Sequence, residues 1–121
     1  MDNLLHTIYT EQRPWGSFTK FADNEQVTVK IITVRAGEQF SLQSHQHRDE
    51  FWHIISGDGI VTIGDTPSPL VIGGNYEIPP HTKHRIKAGS HDVVIMEICR
   101  GEFDEADITR FEDDYHRETV S

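Results

Sequence analysis

Short stretches rich in β-branched and aromatic residues alternate with glycine, proline, asparagine and aspartate along most of the chain. The longest stretch, residues 27–34, ends just before Gly37. Turn-forming residues then separate the remaining candidate strands, which are 39–47, 51–55, 60–63, 70–72, 76–79, 84–87 and 93–98. Strands at this spacing predict an all-β sandwich or barrel.

The C-terminal residues follow a different period. Ile108, Phe111 and Tyr115 recur at i, i+3 and i+7, which is one stripe of a short helix. We therefore predict a helical tail over 106–117. Residues 2–9 are a second and weaker candidate for a helical turn.

Length and composition set the class of protein. A chain of 121 residues predicts one domain, 1–121, with the barrel over 13–105. It has no apolar run of about 18 residues that could span a membrane. The N-terminus lacks the basic and apolar regions of a secretory signal. A single cysteine, Cys99, fits a reducing compartment, so we expect a cytoplasmic protein.

The charge balance narrows the choice of partner. The net charge is −9, from 20 acidic and 11 basic residues. This argues against nucleic acid or an anionic membrane surface as the main partner. A small anionic ligand stays open, because screening over about 8 Å makes the nearest charges the ones that count.

One stretch combines several metal-ligating residue types. On a strand, Gln43, His45 and His47 share one face, and Glu50 opens the next strand after a turn. His84 follows a proline-marked turn further along the chain. Two imidazoles and a carboxylate, without thiolates, make a site for a first-row metal. We predict one divalent ion on these side chains.

These two regions resemble the cupin motifs, residues 37–57 the first and residues 73–84 the second. The resemblance implies a double-stranded β-helix, or jelly-roll barrel. The interval from His47 to Glu50 is shorter than the one that cupins usually have between these ligands. If the pair is Gln43 and His45 instead, the interval to Glu50 has the usual length. A Gln-x-His pair is also typical of zinc-dependent phosphomannose isomerases. Gln43 and His47 both remain candidates for the second partner of His45, and the metal is zinc or else manganese, iron, nickel or cobalt.

A closer resemblance lies in five segments within residues 13–117, which are 13–16, 41–52, 78–85, 96–101 and 107–117. Together these segments resemble type II mannose-6-phosphate isomerase. That family is usually the C-terminal part of a bifunctional enzyme with a guanylyltransferase domain, for which 121 residues leave no room. Phe51 stands where the family usually has histidine, and Ala106 stands where it has the first of two aspartates. Near the end, Tyr-His-Arg replaces Tyr-Gly-Arg.

The resemblance implies interconversion of mannose 6-phosphate and fructose 6-phosphate through an enediolate. Arg48 matches an arginine of that family, and the resemblance implies that it is catalytic. The alternative is a solvated arginine in a turn, where side chains are usually exposed. Glu97 is a candidate base on family position alone. Arg110 and Arg117 match tail arginines and are candidates for substrate binding, with a plain helix surface as the alternative. Lys83 is a further candidate, although strand parity places it opposite His84.

Two other functions compete with an isomerase. A small dioxygenase would suit a histidine-carboxylate site that held iron. A non-catalytic sugar-binding cupin is the third possibility, because Phe51 and Ala106 depart from the family. We expect a homodimer formed through edge strands and the N-terminal segment.

Overall fold

A computed structural model describes residues 8–117, and all the regular structure in this range is β. Two sheets face each other, and every strand pairing within them is antiparallel. Strands β1 and β2 form a hairpin that is a separate two-stranded sheet. The strands are β1 Tyr9–Arg13, β2 Gly16–Lys20, β3 Thr28–Val34, β4 Leu42–Ser44, β5 Arg48–Ser56, β6 Gly59–Ile63, β7 Thr66–Pro69, β8 Asn75–Ile78, β9 His84–Ala88, β10 Val93–Gly101 and β11 Thr109–Glu112.

The two sheets enclose the main core. One sheet has the order β3-β10-β5-β8 and the other has the order β11-β4-β9-β6-β7, so the chain crosses repeatedly between them. Both inner faces contribute apolar side chains, each worth roughly 1.5–3 kcal/mol when fully buried. The core residues are Val34, Trp52, Ile54, Val61, Ile78, Ile86, Ala88, Val93 and Ile95.

Strand β5 is buried on both faces, which fixes its register. Trp52 and Ile54 point into the main core. Phe51 points the other way and packs with Ile98 and Phe21 in a second cluster. Because a slip of one residue would exchange these faces, the position of Glu50, on the inward side, is strongly specified.

The predicted helical tail is wrong. Thr109–Glu112 form β11, in which Thr109 pairs with Ser44 and Arg110 pairs with Gln43. Without β11, strand β4 would be the edge of its sheet, and pairing satisfies its backbone N–H and C=O groups. Three apolar positions give a short helix too little preference to compete. The helical turn predicted for 2–9 lies mostly outside the described residues, and Tyr9 opens β1.

Other predicted boundaries also shift. The sheets of the barrel begin at Thr28 rather than at residue 13, since the β1–β2 hairpin forms its own sheet. Strand β7 contains two prolines where the sequence predicted a turn. Proline is tolerated there because β7 is the edge of its sheet. The predicted strand 39–47 shrinks to Leu42–Ser44, which changes the metal site described below.

Two turn glycines give a matched test of this fold. Gly57 has φ +111°, and a Cβ there would lie 2.4 Å from the Asp92 carbonyl oxygen. Gly64 has φ +65°, and a Cβ there would meet only open space. We expect Gly57→Ala to lower the free energy of unfolding by about 3 kcal/mol or more, and Gly64→Ala by about 1 kcal/mol. Urea denaturation measures both, and equal losses would contradict this packing.

Candidate metal centre

Three buried side chains meet at one end of the barrel. His45 directly follows β4, Glu50 lies in β5, and His84 is the first residue of β9. The Glu50 carboxylate lies between the two rings, 3.4 Å from His45 Nε2 and 3.3 Å from His84 Nε2. The ring centroids are 5.0 Å apart. Strands from both sheets therefore converge on one carboxylate.

Backbone carbonyls fix the orientation of both imidazoles. His45 Nδ1 lies 2.6 Å from the carbonyl oxygen of Asp107, and His84 Nδ1 lies 2.9 Å from that of Thr82. Because a carbonyl oxygen only accepts, each Nδ1 carries the proton. Each Nε2 therefore presents a lone pair toward Glu50, which is the tautomer that binds a metal through Nε2.

The donor set fits a divalent ion of the first transition row. Within residues 8–117, Glu50 Oε1 and His84 Nε2 are buried and have no hydrogen-bond partner. Buried polar atoms of this kind need an explanation, and a shared cation supplies one. Ligand atoms of His45, Glu50 and His84 lie within 4.8 Å of one another. Two nitrogens and one oxygen suit zinc and its neighbours.

Electrostatics keep Glu50 and His45 ready to bind a cation. Burial alone would raise the pKa of Glu50, but His84, His45 and Arg48 outweigh it and hold the pKa at about 2. Burial lowers the pKa of His45 below its ordinary value. At neutral pH the carboxylate is therefore charged and this imidazole is neutral, as metal binding requires.

Arg48 forms part of the same cluster. Its Nε donates to Glu50 Oε2 at 3.1 Å, and its Nη2 lies 3.0 Å from the same oxygen. Nη2 also donates to His45 Nε2 at 3.2 Å. The guanidinium lies over the Phe103 ring, 4.5 Å from its centroid. Arg48 is buried, so a solvated turn arginine is excluded.

A second group of possible ligands shares Glu50. Cys99 Sγ donates to Glu97 Oε1 at 3.3 Å and approaches Glu50 Oε2 at 3.9 Å. Burial and the charges of Glu97 and Glu50 raise the pKa of the Cys99 thiol far above its usual value. Cysteine binds a metal as the thiolate, so a thiol that stays protonated makes Glu50, Glu97 and Cys99 a poorer metal site than His45, Glu50 and His84.

A cavity of about 240 Å³ opens beside His45 and Glu50. Cations and anions line it in the same small space, so it can hold a polar ligand with negative charge at one end. Its charged lining residues are Lys30, Arg48, Glu50, Glu97, Glu105, Arg110 and Arg117.

Glu97 is the carboxyl in this cavity best suited to proton transfer. Burial, and then the charge of Glu50, raise its pKa above the ordinary value. Trp52 Nε1 donates to Glu97 Oε2 at 3.2 Å and Cys99 donates to the other oxygen, so the carboxyl is held in place. A buried carboxyl with a raised pKa at a cavity is typical of a general acid or base.

Comparison with known proteins identifies the family. The family model described as mannose-6-phosphate isomerase C-terminal matches residues 2–113. The chain belongs to this family.

Two curated relatives of this chain are much longer proteins. The chain is 39% identical over 107 residues to the xanthan biosynthesis protein XanB of Xanthomonas campestris, covering 87% of this chain and 23% of that protein. It is 36% identical over 115 residues to the mannose-1-phosphate guanylyltransferase ManC of Salmonella typhimurium, covering 93% of this chain and 24% of that protein. The chain thus spans about a quarter of these relatives.

Solved structures support the cupin fold. A cupin protein from Bacteroides fragilis aligns with TM-score 0.58 and 26% identity, over 67% of this chain and 74% of that one. The capsular polysaccharide assembling protein CapF of Staphylococcus aureus aligns with TM-score 0.62 and 22% identity, over 87% of this chain and 32% of that one. Within residues 8–117, no helix has the length and apolar character needed to cross a bilayer.

The structure separates the two candidate partners of His45. Gln43 lines the cavity and pairs in register with His84. His47 is exposed and lies outside the cluster, because β4 ends at Ser44 and the alternation of faces ends with it. The spacing argument assumed a strand through His47, and that assumption fails.

Of the three cationic residues predicted to bind substrate, two line the cavity and one does not. Arg110 and Arg117 line the cavity, and Arg117 Nε also donates to Asp113 at 2.7 Å. Lys83 is not among the residues that line the cavity, and its Nζ lies 4.4 Å from the centroid of the Phe111 ring. The structure therefore does not bring Lys83 to the cavity.

Lys30 also lines the cavity, although it was not among the site residues predicted from the sequence. On β3 it shares the inward face with Thr28, Ile32 and Val34, so it is the one charged residue on that face. That break in the pattern is the signal that could have identified it.

We expect Glu50→Gln to lower the free energy of unfolding of the metal-free protein by about 3 kcal/mol, because it leaves Arg48 buried without its counter-charge. Glu105→Gln is the control. Its ion pair with Lys30, at 2.8 Å, is exposed on the Glu105 side and should be worth less than about 1 kcal/mol. Urea denaturation in the presence of a chelator measures both variants. Similar losses would show that Glu50 does not neutralise a buried charge.

Proposed function

We propose that this chain is a metal-dependent sugar-phosphate isomerase that interconverts mannose 6-phosphate and fructose 6-phosphate. The observation that carries the proposal is the placement of Glu97 in the cavity beside His45, Glu50 and His84. Ligand atoms of Glu50 and Glu97 belong to one group within 4.8 Å. A base and a cation site this close can act on the two adjacent carbons of one substrate.

The metal would be held by His45, Glu50 and His84, with zinc as the first choice. When bound there, it would supply a Lewis acid that polarises the sugar's carbonyl oxygen. Gln43 lines the same cavity and offers an amide oxygen as a further ligand.

Glu97 acts as the base on the open-chain aldose. It takes the proton from C2, and the electron pair of that C–H bond forms the C1=C2 double bond as the carbonyl oxygen becomes negative. Return of the proton to C1, with a proton moving from the C2 hydroxyl to the C1 oxygen, gives the ketose. A raised pKa makes the Glu97 carboxylate a stronger base toward this proton.

Cations supply the remaining functions. Arg48 lies against Glu50 and His45 and stabilises the negative charge of the enediolate. Arg110, Arg117 and Lys30 line the same cavity and bind the phosphate. Lys83 has no part in this assignment, because it is not among the residues that line the cavity.

Two departures from the family pattern, Phe51 and Ala106, lie outside this cavity, and the third, His116, is exposed next to the cavity residue Arg117. Phe51 is fully buried in the second apolar cluster, on the opposite face of β5 from Glu50. Ala106 is exposed and lines a different surface depression. These substitutions therefore do not remove any group from the cavity, which favours an isomerase over a non-catalytic sugar-binding cupin.

A homodimer in the cytoplasm, with no nucleic acid or membrane partner, stays a prediction. Strand β3 is one edge of its sheet, and its outward residues Val29 and Ile31 are 52% and 60% exposed. An apolar sheet edge of this kind is normally covered by a partner.

We expect the zinc-loaded protein to convert mannose 6-phosphate to fructose 6-phosphate, and Glu97→Gln to lower kcat at least about 100-fold with unchanged zinc content, because it removes the base. Glu112→Gln, an exposed carboxyl paired with Arg85, is the control and should keep full turnover. A coupled assay for fructose 6-phosphate measures all three proteins.

Absence of turnover in a wild-type protein that holds its metal would contradict the isomerase and favour a binding protein. Uptake of dioxygen by the iron-loaded protein would favour the dioxygenase instead.

A further inference from the structure

The segment that carries His45 is tied to a residue far along the chain. The carboxylate of Asp107 accepts from two successive backbone amides, Gln46 N–H on Oδ1 and His47 N–H on Oδ2, both at 2.9 Å. The carbonyl oxygen of the same residue accepts from His45 Nδ1 at 2.6 Å. One residue thus holds three consecutive positions, 45 to 47.

This arrangement is incompatible with an extended strand. In a strand, successive backbone N–H groups point to opposite edges, so one carboxylate cannot accept from both. The two amides turn to the same side here, and regular strand structure is absent from 45 to 47. His45 consequently points into the barrel while His47 is exposed, although the two would share a face in a strand.

The connection between β10 and β11 presents Asp107 in this position. Asp107 N–H donates to the carbonyl of Asp104 at 3.0 Å, and the Asp104 carboxylate accepts from Ala106 N–H at 2.9 Å. Arg48 Nη1 reaches the Asp104 carbonyl at 3.5 Å. The turn is therefore held by hydrogen bonds within residues 104–107, and it contacts Arg48 of the metal cluster directly.

We propose that Asp107 is a positioning residue that selects His45, and not His47, as the metal ligand. This inference rests on the proposed metal site but concerns the geometry of the 45–47 segment, which exists without metal. Removing the carboxylate frees both amides, allows the segment to extend, and lets His47 compete for the site.

The first test uses the metal-free protein. In Asp107→Ala, we expect amide hydrogen exchange at Gln46 and His47 to accelerate at least tenfold, because both acceptors are lost. Asp107→Asn retains one acceptor oxygen and should free one amide, so it tests the same contact if the alanine variant folds poorly. Asp114→Ala, which removes an exposed acceptor of Gln39, is the control and should leave exchange at these amides unchanged. Unchanged exchange in both Asp107 variants would overturn the proposal.

The second test measures zinc affinity by competition with a chelator. Asp107→Ala should bind zinc about 10- to 100-fold more weakly, as loss of a group that orients a ligand typically does. His47→Ala should have no effect in the wild-type background but should weaken binding further in the Asp107→Ala background.

Equal effects of His47→Ala in both backgrounds would overturn the selection of His45. Failure of the wild-type protein to bind zinc would instead refute the proposed function, and the exchange result would still stand.

Discussion

The buried carboxylate of Glu50 is the constraint on which the site depends. It is held in its charged form inside a barrel, so its neighbours must offset the loss of hydration. Arg48 comes from the same strand, whereas His45 and His84 come from the opposite sheet. Placing this charge therefore requires both sheets in register. The apolar residues Trp52 and Ile54, next along the same face of β5, fix that register.

The same constraint organises the chemistry. Arg48 is the cation paired with Glu50, while burial and the charge of Glu50 raise the pKa of Glu97, the second carboxyl, on the adjacent strand. Two carboxyl groups with pKa values displaced in opposite directions can serve as ligand and as base within one cavity. Phe51 and Ala106 lie away from that cavity, so the arrangement does not depend on them.

Much of this was predictable from the sequence where local patterns agree with the fold. Turn residues between short β-branched stretches indicated the barrel, and the spacing of His45, Glu50 and His84 indicated the cluster. The tail helix failed because pairing with β4 outweighed a weak helical period. His47 was misplaced because Asp107, a residue distant in sequence, bends the segment out of the strand. Such long-range contacts leave no trace in local periodicity.

The zinc K-edge X-ray absorption spectrum of the loaded protein tests the metal centre most directly. The account predicts a shell of nitrogen and oxygen at about 2.0–2.2 Å with scattering from two imidazole rings. A sulfur scatterer at about 2.3 Å would contradict it, because that would place the metal on Cys99, Glu97 and Glu50. A shell without imidazole scattering would contradict it as well.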